Sequence, residues 1–294
     1  MNEIRYFIAL SQTLNFTKAA ETCNISQPAL TRAIHKMEQE LGGLLFSRER
    51  NNTHLTALGQ LIEPHLREIV SRSGQVEKLA TRFIRLERAA LSVGVMCTIG
   101  PALFASFLGS FHADHPGVEL SLLEGVPDQL CAMLLEGAID VAIMAAPRGF
   151  APEMRATPIY DERFVIACSA GHRFARQESV PVASLDGESY LLRINCEFHD
   201  VLDTMCRNQN VRLIHSYRSE REDWILTMVA AGLGICFLPE FSNAVPGVIG
   251  VPVVLPSVSR EVCLVTVAGR RHSPPVDAFV QAVQRYRWVP GPDI

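Results

Sequence analysis

Residues 26–41 read SQPALTRAIHKMEQEL, and Pro28 limits how that stretch can fold. Inside a helix a proline costs a hydrogen bond and clashes with the preceding turn; in the first turn the missing N–H has no intrahelical partner to lose. Pro28 therefore marks a helix start, with Ser26 as the N-cap. Leu30, Ala33, Ile34, Met37 and Leu41 then recur at helical spacing, a stripe that faces a core. Gln27, Thr31, Arg32, His35 and Lys36 fall on the opposite face, and Gly42-Gly43 ends the run.

The residues before it supply a scaffold. Ile4, Phe7, Ile8 and Leu10 predict a helix over 4–13, and FTKAAETC predicts a short second helix after Asn15 with Thr17 as a first-turn cap. A tight turn, NIS, then leads into the third helix. A short helix, a tight turn and a longer helix with a polar, basic outer face form a helix-turn-helix, whose second helix enters the major groove. Gln27 can pair with adenine, Arg32 with guanine, and Thr31 with either base or a thymine methyl. Ser26 and Pro28 at the helix start, with Thr17 and Lys36, are candidates for the DNA backbone. LLFSRERNNTHLT follows, with short strands at 45–47 and 54–55 around an Asn-Asn turn, a wing from which Arg48 and Arg50 reach phosphates or the minor groove. An ordinary solvated helix or a dimerisation helix is the competing reading. Turn, cap, wing and charge together favour double-stranded DNA.

Charge supports that reading weakly. Residues 1–88 carry 12 Lys+Arg against 9 Asp+Glu and include all three lysines, whereas the remaining residues carry 15 against 22. A mildly basic N-terminal piece on an acidic body suits a chain whose N-terminus alone meets a polyanion. No apolar run approaches a membrane span, and the acidic, uncleavable N-terminus does not resemble a signal peptide, so a cytoplasmic protein is expected. The eight cysteines contain no CxxC pair and the nine histidines no metal-ligand spacing, so neither metal nor cofactor is expected. No nucleophile elbow, zinc-protease motif or phosphate loop is present, which argues against an enzyme.

From Thr56 a long helical pattern runs to about residue 88. Ile62, Leu66, Ile69, Ser73, Val76, Ala80 and Phe83 alternate four and three apart, a heptad seam that predicts pairing with a second chain. Pro64 bends the helix near its start. Packing along the helix's own domain is the alternative.

Beyond residue 88, strands and helices alternate: ALSVGV at 90–95, a helix closed by His-Pro-Gly, VELSLLEG, a second helix, and VAIMAA. RFVIACSAGH, SYLLR, VRLIHSYRS and GICFLP continue in a second unit, and VCLVTVAG with the last helix returns to the first. A helix-covered parallel sheet in two hinged lobes is expected.

Taken together, FTKAAETCNISQPALTRAIHKMEQELG, LLFSR, LTALG and MVAAGLGICFLP resemble the LysR-type transcriptional regulators along the whole chain. One position departs: three residues after Arg48 the family has a basic residue, and here stands Asn51, with Arg50 as its substitute. The resemblance implies a winged helix-turn-helix over 1–58, a linker helix over 59–88 and a periplasmic-binding-protein-like effector domain over 89–294. Its lobe I covers about 89–161 and 266–294, its lobe II about 162–265. It further implies a dimer of dimers that bends promoter DNA and relaxes the bend when an effector binds.

Ligands of open parallel sheets lie beyond the strands' carboxyl ends, near helix N-termini whose free N–H groups favour anions. Cys97 and Thr98 satisfy that description, as do Arg193, Asn195, Cys196, Glu197 and His199; Glu220 and Arg221 are weaker candidates. Peroxide-sensing members of the family place a reactive cysteine in a similar loop with a partner about a helix later. Cys196 and Cys206 are thus redox candidates, although Asn195 replaces a histidine, the spacing is one longer, and Glu197 disfavours a thiolate. The effector is therefore a small molecule or an oxidant. A two-lobed small-molecule binder or enzyme with no DNA function is the rival class.

Overall fold

A computed structural model describes residues 2–49, 52–242 and 245–288. The chain forms two compact units, 1–82 and 83–294, so the division falls inside the expected linker.

Unit 1 opens with α1 (Asn2–Thr13), α2 (Phe16–Thr22) and α3 (Gln27–Leu41). Asn15, not Thr17, caps α2: its side-chain oxygen accepts from the Thr17 and Lys18 N–H groups at 2.9 and 3.0 Å. Asn15 has the extended backbone of a cap, whereas Thr17 is already helical. Ser26 caps α3 through the Ala29 N–H, Pro28 is the second helical residue, and Gly42 ends the helix at φ 72°. Leu30, Ile34 and Met37 enter a core with Phe7, Leu10 and Phe16; Leu41, at the last turn, is exposed. The wing is β1 (Phe46–Glu49) paired antiparallel with β2 (Asn52–Leu55), so Asn52 is a strand residue; Arg50 and Asn51 lie outside the described residues.

The helix α4 (Ala57–Ile84) begins at Thr56, whose hydroxyl accepts from Gly59 N–H and donates to the Leu44 carbonyl. Gly59 has to be glycine, because a Cβ there would overlap the Leu45 carbonyl oxygen. Ile62 and Leu66 pack into the helix-turn-helix core. Ile69, Val76 and Phe83 are exposed, so the expected seam divides between a part that serves its own domain and a part left open.

In unit 2, β3 (Ala89–Met96), β4 (Val118–Gly125) and β5 (Val141–Met144) are parallel, connected through α5 (Pro101–Asp114) and α6 (Pro127–Glu136). β6 (Met154–Ser169) is the long strand that leaves this lobe, and β12 (Ser259–Val267) is the one that returns. The two run antiparallel to each other, and β12 runs antiparallel to β5, so the sheet is mixed rather than parallel. Crossing strands that go out and come back must oppose each other. β12 pairs with β6 along its whole length and with β5 at Cys263, Leu264 and Val265.

The second lobe consists of β7 (Val180–Pro181), β8 (Ser189–Arg193), α7 (His199–Asn208), β9 (Ile214–Ser219), α8 (Glu222–Ala230), β10 (Cys236–Pro239) and β11 (Val248–Val254). β10 and β11 pair with the second half of β6, and β8 and β9 pair in parallel. The helix α9 (Pro274–Arg285) packs back on lobe I, where Phe279 meets Phe107 and Phe111.

Candidate DNA-reading face and effector cleft

On unit 1 the outer face of α3 presents Ser26, Gln27, Pro28, Arg32 and Lys36 exposed, with Thr31 half-buried; Thr17 and Lys18 are exposed on α2. Among the described residues the Gln27 and Arg32 side chains have no hydrogen-bond partner, so both ends are available to a base edge. Lys36 differs. Its ammonium lies 3.2 Å from Glu3 and 3.8 Å from Glu40, so a phosphate contact has to displace a carboxylate. Arg48 stands over the Phe16 ring at 3.7 Å, which ties the wing to α2 and fixes the direction of its guanidinium.

Glu38 had no distinguishing signal in the sequence. It is buried, and its carboxylate accepts from the Leu45 and Phe46 N–H groups at 2.8 and 3.3 Å. This bond anchors the wing's first strand to α3, and the second oxygen meets His35 at 3.1 Å.

In unit 2 a cavity of about 820 Å³ lies where the β3–α5 loop, the 195 loop and the start of α8 converge. Of the seven expected effector residues, Cys97 and Asn195 line it, together with Glu220 and Arg221. Thr98, Arg193, Cys196, Glu197 and His199 do not. Buried partners hold the polar ones. Arg260 Nη1 donates to Thr98 Oγ1 at 2.7 Å and to Glu197, and its Nε and Nη2 reach Glu162 at 2.8 and 2.6 Å. Thr98 Oγ1 donates to Glu197 at 2.9 Å, and Ser242 donates to the Thr98 carbonyl. Gly100 beside them permits close approach, since a Cβ there would overlap the Phe241 carbonyl. Burial pushes the Glu162 carboxyl above its ordinary pKa against the pull of Arg260. Arg260 and Glu162, both absent from the expected site, thus bind a loop of each lobe to one guanidinium.

Arg193 is held similarly. Its Nε donates to the Phe237 carbonyl at 3.1 Å and its Nη1 to Glu222 at 2.5 Å, while Nη2 lies 3.5 Å from Cys196 Sγ. Burial raises the Cys196 thiol pKa; Arg193 opposes that and Glu197 adds to it. Burial and Asp203 push Cys206 up to about 11, and burial with Glu197 and Glu222 pushes Cys97 to about 11. His199 N–H bonds the Cys196 carbonyl, so Cys196 sits in the turn that opens α7. Cys206 lies roughly 10 Å further along that helix, beyond disulfide reach unless α7 unwinds.

Two of the helix N-termini at the cleft are occupied by side chains of their own helix. Gln129 accepts the Val126 N–H that opens α6, and Glu222 and Asp223 occupy the first turn of α8. The lining carries Glu124, Glu220, Glu222 and Asp223; Arg221 is paired with Asp223 and Arg193 with Glu222, which leaves Glu124 and Glu220 as the surplus charge. Among the described residues no His/Cys/Asp/Glu group is arranged to hold a metal ion, and no helix is long and apolar enough to cross a membrane.

A winged helix-turn-helix with a long helix in the first unit, and a two-lobed domain with an interlobe cavity in the second, define a one-chain regulator that couples a ligand signal to DNA. The chain belongs to the LysR family: residues 1–60 match the bacterial regulatory helix-turn-helix protein, lysR family, and residues 85–288 match the LysR substrate binding domain. It is a DNA-binding transcriptional regulator with an effector-binding domain, and its relatives are regulators rather than enzymes. The hydrogen peroxide-inducible genes activator of Haemophilus influenzae is 29% identical over 274 residues, 90% of this chain and 89% of that protein. Among solved structures, the oxidized form of Corynebacterium glutamicum OxyR superposes with a TM-score of 0.75 at 25% identity, covering 96% of this chain and 91% of that one. A full-length OxyR variant from Pseudomonas aeruginosa gives 0.72 at 28%, covering 96% and 98%.

Proposed function

We propose that the chain binds promoter DNA as a dimer of dimers, reads bases with Gln27, Thr31 and Arg32, and responds to a small cation in the interlobe cleft. Thr17, Ser26, Pro28 and Arg48 face the DNA backbone, Lys36 joins them once it leaves Glu3, and Arg50 is a further candidate by its charge. A protein with this task works in the cytoplasm, with its domains divided near 1–58, 59–88 and 89–294. The observation that carries the DNA reading is the unpartnered Gln27 and Arg32 on the exposed face of α3. The acidic cleft lining carries the effector class.

A footprint on the DNA upstream of the protein's own gene tests the first part. Arg32→Ala should cost about 1–3 kcal/mol on the specific site and little on random DNA. Equal loss on both would make Arg32 a phosphate contact. For the cleft, 1,4-diaminobutane should change the footprint and succinate should not; the reverse outcome rejects a cationic effector.

The Arg193–Cys196 contact favours a second reading, in which Cys196 is oxidised and the footprint changes without any bound organic ligand. The relatives named as peroxide-inducible activators point the same way. Mild peroxide should then alter the wild-type footprint and leave Cys196→Ser unaffected. A Cys206→Ser protein that still responds would remove Cys206 from the switch.

A further inference from the structure

Lobe II has a second concavity, which shares no lining residue with the acidic cleft, and its chemistry is of opposite sign. Two adjoining cavities of about 260 and 590 Å³ lie between α7 and the edge strand β9. Both are lined by His199, Asp203, Arg207 and His215, which makes them one groove with an inner and an outer half. The inner half is walled by Leu202, Val211, Leu213, Phe237 and the Tyr190 ring, with Cys206 on the α7 side. The outer half opens between Arg207 and Arg218, with Tyr217 alongside.

Charge makes the groove distinctive. Residues 89–294 carry 15 Lys+Arg against 22 Asp+Glu, yet Arg207, Arg212 and Arg218 gather here against the single carboxylate of Asp203. Asp203 takes up Arg207, at 2.5 Å and largely in water, where such a pair holds weakly. The guanidiniums of Arg212 and Arg218 have no ion-pair or hydrogen-bond partner among the described residues. Residues Ile214–Tyr217 of β9 are exposed, so α7 leaves this side of the β8–β9 pair open.

We propose that this groove is a second ligand site, separate from the interlobe cleft, for a small anion with an apolar body. The apolar part enters the inner half against Leu202, Leu213 and Phe237, where burial of carbon is favourable. The carboxylate or similar group stays at the mouth, where guanidiniums present forked donors matched to it. Its occupant meets both ends of the segment that carries His199 and Cys206, so binding braces α7 in its helical form.

Equilibrium dialysis of labelled phenylacetate against the full-length protein tests the site. Saturable uptake of one molecule per chain is expected. Arg207→Gln with Arg212→Gln, both exposed and so tolerated by the fold, should raise the apparent Kd at least tenfold. Leu213→Asp should do the same from the apolar end. Glu124→Gln, in the acidic cleft, should leave uptake unchanged, and phenethylamine, the cation of nearly the same shape, should not compete. Absence of saturable uptake, indifference to the arginine variants, or equal competition by phenethylamine overturns the proposal. A footprint that fails to respond to 1,4-diaminobutane bears on the acidic cleft alone and leaves this site standing.

Discussion

Glu38 shows how much one side chain can hold. It lies on α3 among exposed Gln39, Glu40 and His35, yet it is buried and satisfies two N–H groups of the segment entering the wing. Glu38→Ala would leave those donors without a partner in a site closed to water. The expected cost is about 1–3 kcal/mol, read as a lower melting temperature of unit 1 by circular dichroism. Glu38→Gln, whose amide oxygen still accepts, should recover most of it. Cys97 shows the opposite use of burial. Its thiol, pushed up to about 11 by burial and by Glu197 and Glu222, is protonated at neutral pH although it lines the cleft. In the native protein its alkylation by iodoacetamide should climb about tenfold per pH unit toward that value, whereas an ordinary thiol levels off above its pKa near 8.5. An early plateau would show that burial and the carboxylates together do not hold the thiol protonated.

At the scale of elements, what the sequence revealed was local and what it concealed was tertiary. The start and end of α3 follow from Ser26, Pro28 and Gly42, each acting within one turn, and the structure has them there. The long strand β6 is different. Its first half, MRATPIYDER, contains Pro158 and a charged run that resemble a surface loop, and RFVIACSAGH alone signalled a strand. Pro158 is accommodated because the register with β12 shifts beside it, a bulge where a missing N–H is tolerated. Glu162 and Arg260 carry no signal in the sequence for the same reason: only the pairing of β6 with β12 sets them side by side. Thr98 and Glu197 were recognised by position but not by role, since sequence shows which loops converge and not which side chains already have partners. The seam of α4 was legible as a period, yet nothing in the period separates Ile62 and Leu66, which its own domain buries, from Ile69, Val76 and Phe83, which it leaves open. Those open positions make a prediction. Val76→Asp puts a charge in the middle of the exposed stripe, so sedimentation of the full chain should shift toward smaller species. Lys78→Asp, on the helix face opposite the seam, should not shift it.

At the scale of the effector domain, the lobes are joined by two crossing strands and by the cluster around Arg260. That cluster is unbalanced: one guanidinium faces the carboxylates of Glu162 and Glu197, all three buried. Removing the cation would strand two carboxylates away from water, so Arg260→Met should lose about 3–5 kcal/mol of stability. Glu197→Gln removes the surplus charge, keeps one oxygen to accept from Arg260 and turns its amide N–H to donate to Thr98 Oγ1, so its melting temperature should hold or rise. The two variants differ in what they do to the lobes. Glu197 comes from the lobe II loop and Thr98 from lobe I, and a charge-assisted bond between loops favours whichever lobe arrangement allows it. Glu197→Ala deletes that preference without touching Glu162. If the link contributes about 1.5–3 kcal/mol, its loss shifts the balance between arrangements by roughly ten- to a hundredfold. An effector acts only through its differential affinity for those arrangements, so a protein already shifted has little left to respond with. The footprint of Glu197→Ala should therefore match the effector-treated wild type before any effector is added, with the variant still folded by calorimetry. A Glu197→Ala footprint that starts like the untreated wild type and responds fully would show that the Arg260 cluster stabilises the domain without setting its lobes.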